Sequence, residues 1–198
     1  MPVLEAVLSD DSIIKAGVGI NEDMMELSQC WGGRLVARSR LNLGDLGTTG
    51  YSLGIKRMAR GILGLDVPKG RKMATRNWAQ LPLTDSQLAY CGRDAWVGAA
   101  VVDVLADRAP EVFSPDAIRS MLAAEPPVQE LCRRARLRKR AKMQFKSLIS
   151  TWGPTLENAP EADQAEATRL RRVMRDLAPP RTFEFDATSL GFPVSPDD

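Results

Sequence analysis

Two rhythms of apolar and polar positions divide the first hundred residues into alternating strand and helix segments. Leu4 to Leu8 predicts a short helix ending at Asp10-Asp11. Ile13-Ile14-Lys15-Ala16-Gly17-Val18-Gly19-Ile20 is β-branched at both ends and carries two glycines. It predicts a buried strand whose glycines let another backbone come close. Asn21 is a candidate cap for a helix over Glu22–Cys30, with Asp23 in its first turn and Trp31-Gly32-Gly33 as its stop. Arg34 to Leu41 sets Leu35, Ala37 and Leu41 against Arg34, Val36, Arg38 and Arg40, which predicts a second strand with one basic face. Strand, helix and strand in so short a span favour a parallel pair with a right-handed crossover.

Helical periodicity then dominates. Ser52 opens a helix through Leu63, with Gly64 as its C-cap. Thr84-Asp85-Ser86-Gln87 reads as a capping box. The helix it opens runs to Asp107, with Leu88, Cys91, Ala95, Val102 and Leu105 on the expected core stripe, and Pro110 ends it. A further helix is predicted over Asp116–Ala124. Pro126-Pro127 opens a basic helix to Trp152. Beyond Gly153 the chain turns acidic and Pro-rich, with one weak helix over Gln164–Leu177 and disorder expected from Pro179. The fold class is therefore α/β. The expected division is 1–108 for the α/β domain, 109–152 for a basic helical extension and 153–198 for the acidic tail.

The 198 residues are 44% hydrophobic, enough for one domain and a tail. Charge is segregated although the formal net charge is only +2. Residues 34–76 are rich in Lys and Arg, residues 133–146 carry no acid, and residues 153–198 are acidic. Such blocks point to a polyanionic partner, nucleic acid first, or else to solvated basic faces. The candidate contacts are Lys69, Arg71, Lys72 and Arg76 in a loop, and Arg133, Arg134, Arg136, Arg138, Lys139 and Arg140 on the basic helix. The second group also suits a nuclear-import signal. The chain has no histidine, which excludes Ser-His and Cys-His nucleophiles and His-ligated zinc. Its three cysteines are widely spaced, which favours a reducing, intracellular compartment. No apolar run is long enough for a membrane span.

Two carboxylates occupy informative places. Asp23 falls at a strand-to-helix turn, the edge at which open α/β sheets bind ligands. Asp94 follows Tyr90 by one helical turn, so the two side chains share a face. Carboxylates facing a phosphodiester need divalent cations between them, and Mg²⁺ takes few protein carboxylates. A tyrosine one turn away can hold the attacking water. By spacing alone, Tyr90 and Asp94 also fit a local hydrogen bond, and Asp23 a favourable partner of the helix dipole. Trp78 fits a core anchor or a base-stacking platform.

Lys15-Ala16-Gly17-Val18-Gly19-Ile20-Asn21-Glu22-Asp23-Met24-Met25-Glu26-Leu27 resembles the second motif of the RNase D/Werner-type 3′–5′ exonucleases, the DEDDy group with an RNase H-like fold. Tyr90-x-x-x-Asp94-Ala95 resembles their third motif. Tyr51-Ser52-Leu53 and the run from Asn77-Trp78 through Pro82-Leu83-Thr84 to Gln87 follow the family order between them, so the likeness covers residues 4–106. It implies metal-dependent removal of nucleotides from single-stranded 3′ ends of DNA or RNA, with Mg²⁺ or Mn²⁺ as cofactor. It further implies that Asp23 supports one metal, Asp94 ligates the other, and Tyr90 orients the water.

The family's first motif, Asp-x-Glu on the central strand, has no counterpart, since only 22 residues precede Asp23 and none fits. The expectation is an N-terminally incomplete sheet, an inactive chain, and an open edge on the Ile13–Ile20 strand that a protein partner covers. The alternatives are a non-catalytic nucleic-acid-binding or adaptor protein, or a truncated fragment.

Overall fold

The strand–helix–strand unit is present in the computed structural model, which describes residues 2–46, 54–68, 76–179, 185 and 187–192. Helix α1 (Pro2–Ser9) leads to β1 (Lys15–Gly17), α2 (Ile20–Cys30) and β2 (Arg40–Asn42). The strands pair in parallel, with Lys15 opposite Arg40 and Gly17 opposite Asn42. The fold is mixed α/β, mostly helical with this small sheet. Two units divide the chain. One joins Met1–Met24, Val36–Glu125 and Arg181–Asp198, and the other joins Met25–Leu35 and Pro126–Pro180.

Both strands are shorter than the periodicity predicts, and β1 is half-buried rather than buried. In β2 the break lies at Ser39. Ser39 has a φ of 51°, a left-handed conformation that interrupts the extended run before Arg40. Glu125 holds the break: its carboxylate accepts the Ser39 N–H at 2.5 Å and the Arg40 N–H at 3.1 Å. Arg34, Val36 and Arg38 of the expected basic face are exposed, but Arg40 departs from it, being 2% exposed. Its Nε donates to Asn21 Oδ1 at 3.0 Å, Nη1 donates to the Ala37 carbonyl, and Nη2 lies 3.5 Å from Glu125. A buried guanidinium needs such partners. Burial pulls its pKa below the usual range, and the Glu125 charge opposes that pull. Asn21 is therefore not the N-cap. The helix begins at Ile20, and the Asn21 amide serves Arg40 instead.

Helix α3 (Ile55–Leu63) ends as predicted. Gly64 adopts φ 66°, and its N–H returns to the Ala59 carbonyl. The predicted start at Ser52 lies outside the described residues. Helix α4 (Asp85–Arg108) begins at the predicted capping box. Pro110 ends it and also opens α5 (Pro110–Phe113), as Pro115 opens α6 (Pro115–Leu122). These elements enclose a core built on Leu41, Leu43, Leu46, Met58, Val97, Val101, Leu105, Phe113 and Ile118.

Helix α4 buries Leu105 and packs Val102 on the core as expected, but the first half of the expected stripe turns outward. Val97, Gly98, Val101 and Leu105 face inward, whereas Leu88 is 55% exposed and Cys91 and Ala95 lie on the surface. Gly98 explains the rotation. A Cβ there would sit 3.0 Å from the Ala16 carbonyl oxygen. Lys15 gives its N–H to Ser39 on the β2 side, so the Ala16 carbonyl faces the other edge of β1. The edge expected to stand open is therefore met by α4, and the missing side chain of Gly98 makes room for that approach.

The expectation of disorder from Pro179 fails for Phe185 and for Leu190 to Phe192. Phe185 meets Phe113 edge to face at 4.9 Å, and Leu190 and Phe192 pack on the same core. Apolar burial outweighs the polar composition around them.

In the second unit, α7 (Val128–Trp152) packs along α8 (Glu161–Asp176) over Leu156, Ala159, Ala167, Phe145 and Leu148. Gln129 donates its side-chain N–H to the Gly33 and Leu35 carbonyls at 3.2 and 2.8 Å. No helix among the described residues is long and apolar enough to cross a membrane.

Replacing a helical glycine by alanine stabilises an open helix by about 1 kcal/mol. Gly98→Ala is expected to bring no such gain, and Gly98→Val is expected to cost about 1–3 kcal/mol through overpacking. Urea denaturation measures both, and the full alanine gain at Gly98 would contradict the close contact.

Candidate active site

The site begins with the approach to α4. Thr84 Oγ1 accepts the Gln87 N–H at 3.3 Å, and the Thr84 N–H donates to Gln87 Oε1 at 2.9 Å. Buried Gln87 also donates from Nε2 to the Asn77 carbonyl at 3.3 Å. One glutamine thus fixes both the first turn of α4 and the segment leading into it. That segment carries half-buried Trp78, whose ring lies 6.0 Å from the Tyr90 ring at 49°. Trp78 is therefore a neighbour of the candidate catalytic tyrosine.

Tyr90 and Asp94 are both half-buried on α4. Burial, the Asp94 charge and a hydrogen bond to Asp94 hold the Tyr90 phenol above its ordinary ionisation range, while Arg93 pulls the other way. The phenol stays protonated at neutral pH and can donate a hydrogen bond to the carboxylate or to a water beside it. The Arg93 guanidinium lies 5.6 Å over the Tyr90 ring.

Asp23 is exposed in the first turn of α2, and its N–H returns to the Gly19 carbonyl at 3.1 Å. Side chains of β2 hold this turn. Asn42 Oδ1 accepts the Gly19 N–H at 2.9 Å, and Arg40 holds Asn21. Tyr90 and Asp94 stand one turn apart on α4, whereas Asp23 belongs to a separate element. Among the described residues, no three His, Cys, Asp or Glu side chains gather as a metal cage. These residues alone therefore do not fit a two-metal centre.

The basic candidates separate into groups. Lys69, Arg71 and Lys72 lie outside the described residues, and Arg76 is exposed. On α7, Arg134 donates to the Asp176 and Ala178 carbonyls at 2.7 and 3.4 Å, and Arg138 donates to the Met174 carbonyl at 3.1 Å. Both serve the carbonyl-rich end of α8. Arg133 forms a two-pronged pair with Glu130 at 2.7 and 2.8 Å. Arg136, Lys139 and Arg140 are exposed, with Arg136 bonding the Cys132 carbonyl through Nε.

Sequence reasoning missed Arg93, Asn42 and Glu125. Arg93 carries a signal: it lies three residues after Tyr90, the spacing that puts two helical side chains side by side. Glu125 carries none, because its partners are more than eighty positions away in the chain.

A family model described as a 3′–5′ exonuclease matches residues 1–109. Human Exonuclease 3′-5′ domain-containing protein 2 is 33% identical over 101 residues, which cover 48% of this chain and 16% of that protein. The mouse bifunctional 3′-5′ exonuclease/ATP-dependent helicase WRN is 28% identical over 110 residues, covering 52% of this chain and 7% of that protein. The match thus spans a small part of these relatives. A solved EXD2 exonuclease domain, soaked in Mn and dGMP, is 29% identical with a TM-score of 0.25, covering 54% of this chain and 55% of that one.

The phenol gives a pH test. Tyr90 favours its neutral form in the folded state, so its contribution to stability is present below the unfolded phenol pKa. That contribution is lost as pH rises through the higher folded value. With Tyr51→Phe leaving one tyrosine, phenolate absorbance should titrate above the ordinary range. Asp94→Asn should bring it down while burial still holds it up. An unmoved titration in Asp94→Asn would show that the two side chains do not interact.

Proposed function

This chain belongs to the 3′–5′ exonuclease family, and from that membership we propose that it acts at the 3′ ends of DNA or RNA strands, where the family reaction releases single nucleotides. The Tyr90–Asp94 pair carries the reading. The two side chains stand one turn apart on a capped helix, and the Asp94 charge helps hold the Tyr90 phenol in its neutral form. In this reading the Tyr90 hydroxyl orients a water toward the terminal phosphodiester. Asp94 and Asp23 are the residues that would hold a divalent cation, Mg²⁺ or Mn²⁺, which neutralises phosphate charge when bound. The solved EXD2 domain was soaked in Mn.

The same reading makes these 198 residues, taken by themselves, inactive. They contain no Asp-x-Glu at any position, and the described carboxylates do not gather in threes. Without a bridging carboxylate most of the stabilisation of transition-state charge is lost. The purified chain should release no mononucleotide from a 3′-labelled strand with Mg²⁺ or Mn²⁺. Robust release that Asp94→Ala abolishes would overturn the inactivity while supporting the roles of the pair.

A second reading, as a nucleic-acid-binding or adaptor protein, draws on α7. Arg136, Lys139 and Arg140 are exposed, while Arg134 and Arg138 are engaged with α8. Binding of a single strand should weaken with salt and survive Asp94→Ala. In Arg136→Gln/Arg140→Gln the slope of log K against log salt should fall by about 1–2. An unchanged slope would remove α7 from the interface.

A further inference from the structure

We propose that Arg93 is a positioning residue for Tyr90: its guanidinium lies over the Tyr90 ring and fixes the direction in which the phenol hydroxyl points. The functional sense of this rests on the reading of Tyr90 as the residue that orients water. The placement of Arg93 does not.

Three neighbours restrain Tyr90. The Trp78 ring lies at 6.0 Å, Asp94 stands one helical turn on, and Arg93 Cζ stands 5.6 Å from the ring centroid. Because the phenol O–H lies in the ring plane, the freedom that matters is rotation of the ring about its own axis, and Trp78 meets the ring at a tilt of 49° rather than flat. A guanidinium over the face removes that freedom.

The hydrogen-bonding state of Arg93 points the same way. Its Nε is buried and has no hydrogen-bond partner. A guanidinium carries five donors and ordinarily satisfies the buried ones. Leaving one unmet is unfavourable, so something other than a hydrogen bond holds the side chain there. The aromatic face supplies it. Arg93 also brings positive charge beside the phenol, opposing the upward push of burial and Asp94. Lysine is a poor substitute, since its compact ammonium is more strongly hydrated than a guanidinium and sits less readily over an aromatic face.

The chain has two tyrosines, so Tyr51→Phe leaves Tyr90 as the sole ring signal in the ¹³C-tyrosine-labelled 198-residue protein. Arg93→Leu is expected to shift the Tyr90 ring resonances and to lose the Overhauser contact between that ring and the Trp78 indole. The amide spectrum away from α4 should stay in place. Arg93→Lys should follow Arg93→Leu, and it carries the decision if the leucine variant does not fold. Unchanged ring resonances in Arg93→Leu would overturn the proposal, as would wild-type ring signals in Arg93→Lys. This spectrum reads the seat of the Tyr90 ring without calling on hydrolysis, so the placement of Arg93 can stand where the water-orienting role of Tyr90 fails, and the reverse.

Discussion

The approach of α4 to β1 at Gly98 is the contact on which the candidate site depends. It turns one face of the helix toward the edge of the sheet, and that face fixes everything earlier on the helix. Tyr90, Asp94 and Gly98 follow one another at four-residue steps, so they lie along one side of α4. A Cβ at Gly98 would stand 3.0 Å from the Ala16 carbonyl oxygen, so a larger side chain there would press on the strand edge that seats this face. The capping box sets where the helix starts, and the glycine sets how it is turned.

The turn that carries Asp23 is fixed from another direction. Glu125 anchors Ser39 and Arg40, Arg40 holds Asn21, and Asn42 holds Gly19. A buried charge network of this kind is a weak source of net stability but specifies geometry, because removing one member strands the others. Here it ties the first turn of α2 to β2. The geometry around Asp23 is therefore set by a glutamate far along the chain, whereas that around Tyr90 is set mostly by close neighbours in sequence.

That contrast explains what could be read from the sequence. The parallel strand pair, the capping box at Thr84, the Gly64 cap and the Tyr90–Asp94 spacing are local signals, and each is present in the fold. The family was legible from the residues around Asp23 and Asp94. The misjudged features all depend on distant contacts. Arg40 is buried because Glu125 comes to meet it, Ser39 breaks its strand because the same glutamate holds its amide, and α4 is rotated because Ala16 lies beneath Gly98. Phe185 is ordered on Phe113 although its surroundings are polar. The basic run on α7 could be counted but not sorted, because the partners of Arg134 and Arg138 are backbone carbonyls of another helix.

The proposal at the centre is that Asp23 supports one divalent cation and Asp94 ligates the other, with Tyr90 one turn from Asp94. Titrating Mn²⁺ into the ¹⁵N-labelled 198-residue chain tests it most directly, because the ion broadens amide signals near it. The account predicts that amides around Tyr90 to Asp94 and around Asn21 to Met24 broaden together, and that Asp94→Ala abolishes both effects. Broadening confined to one of the two segments, or absent from both, would contradict it.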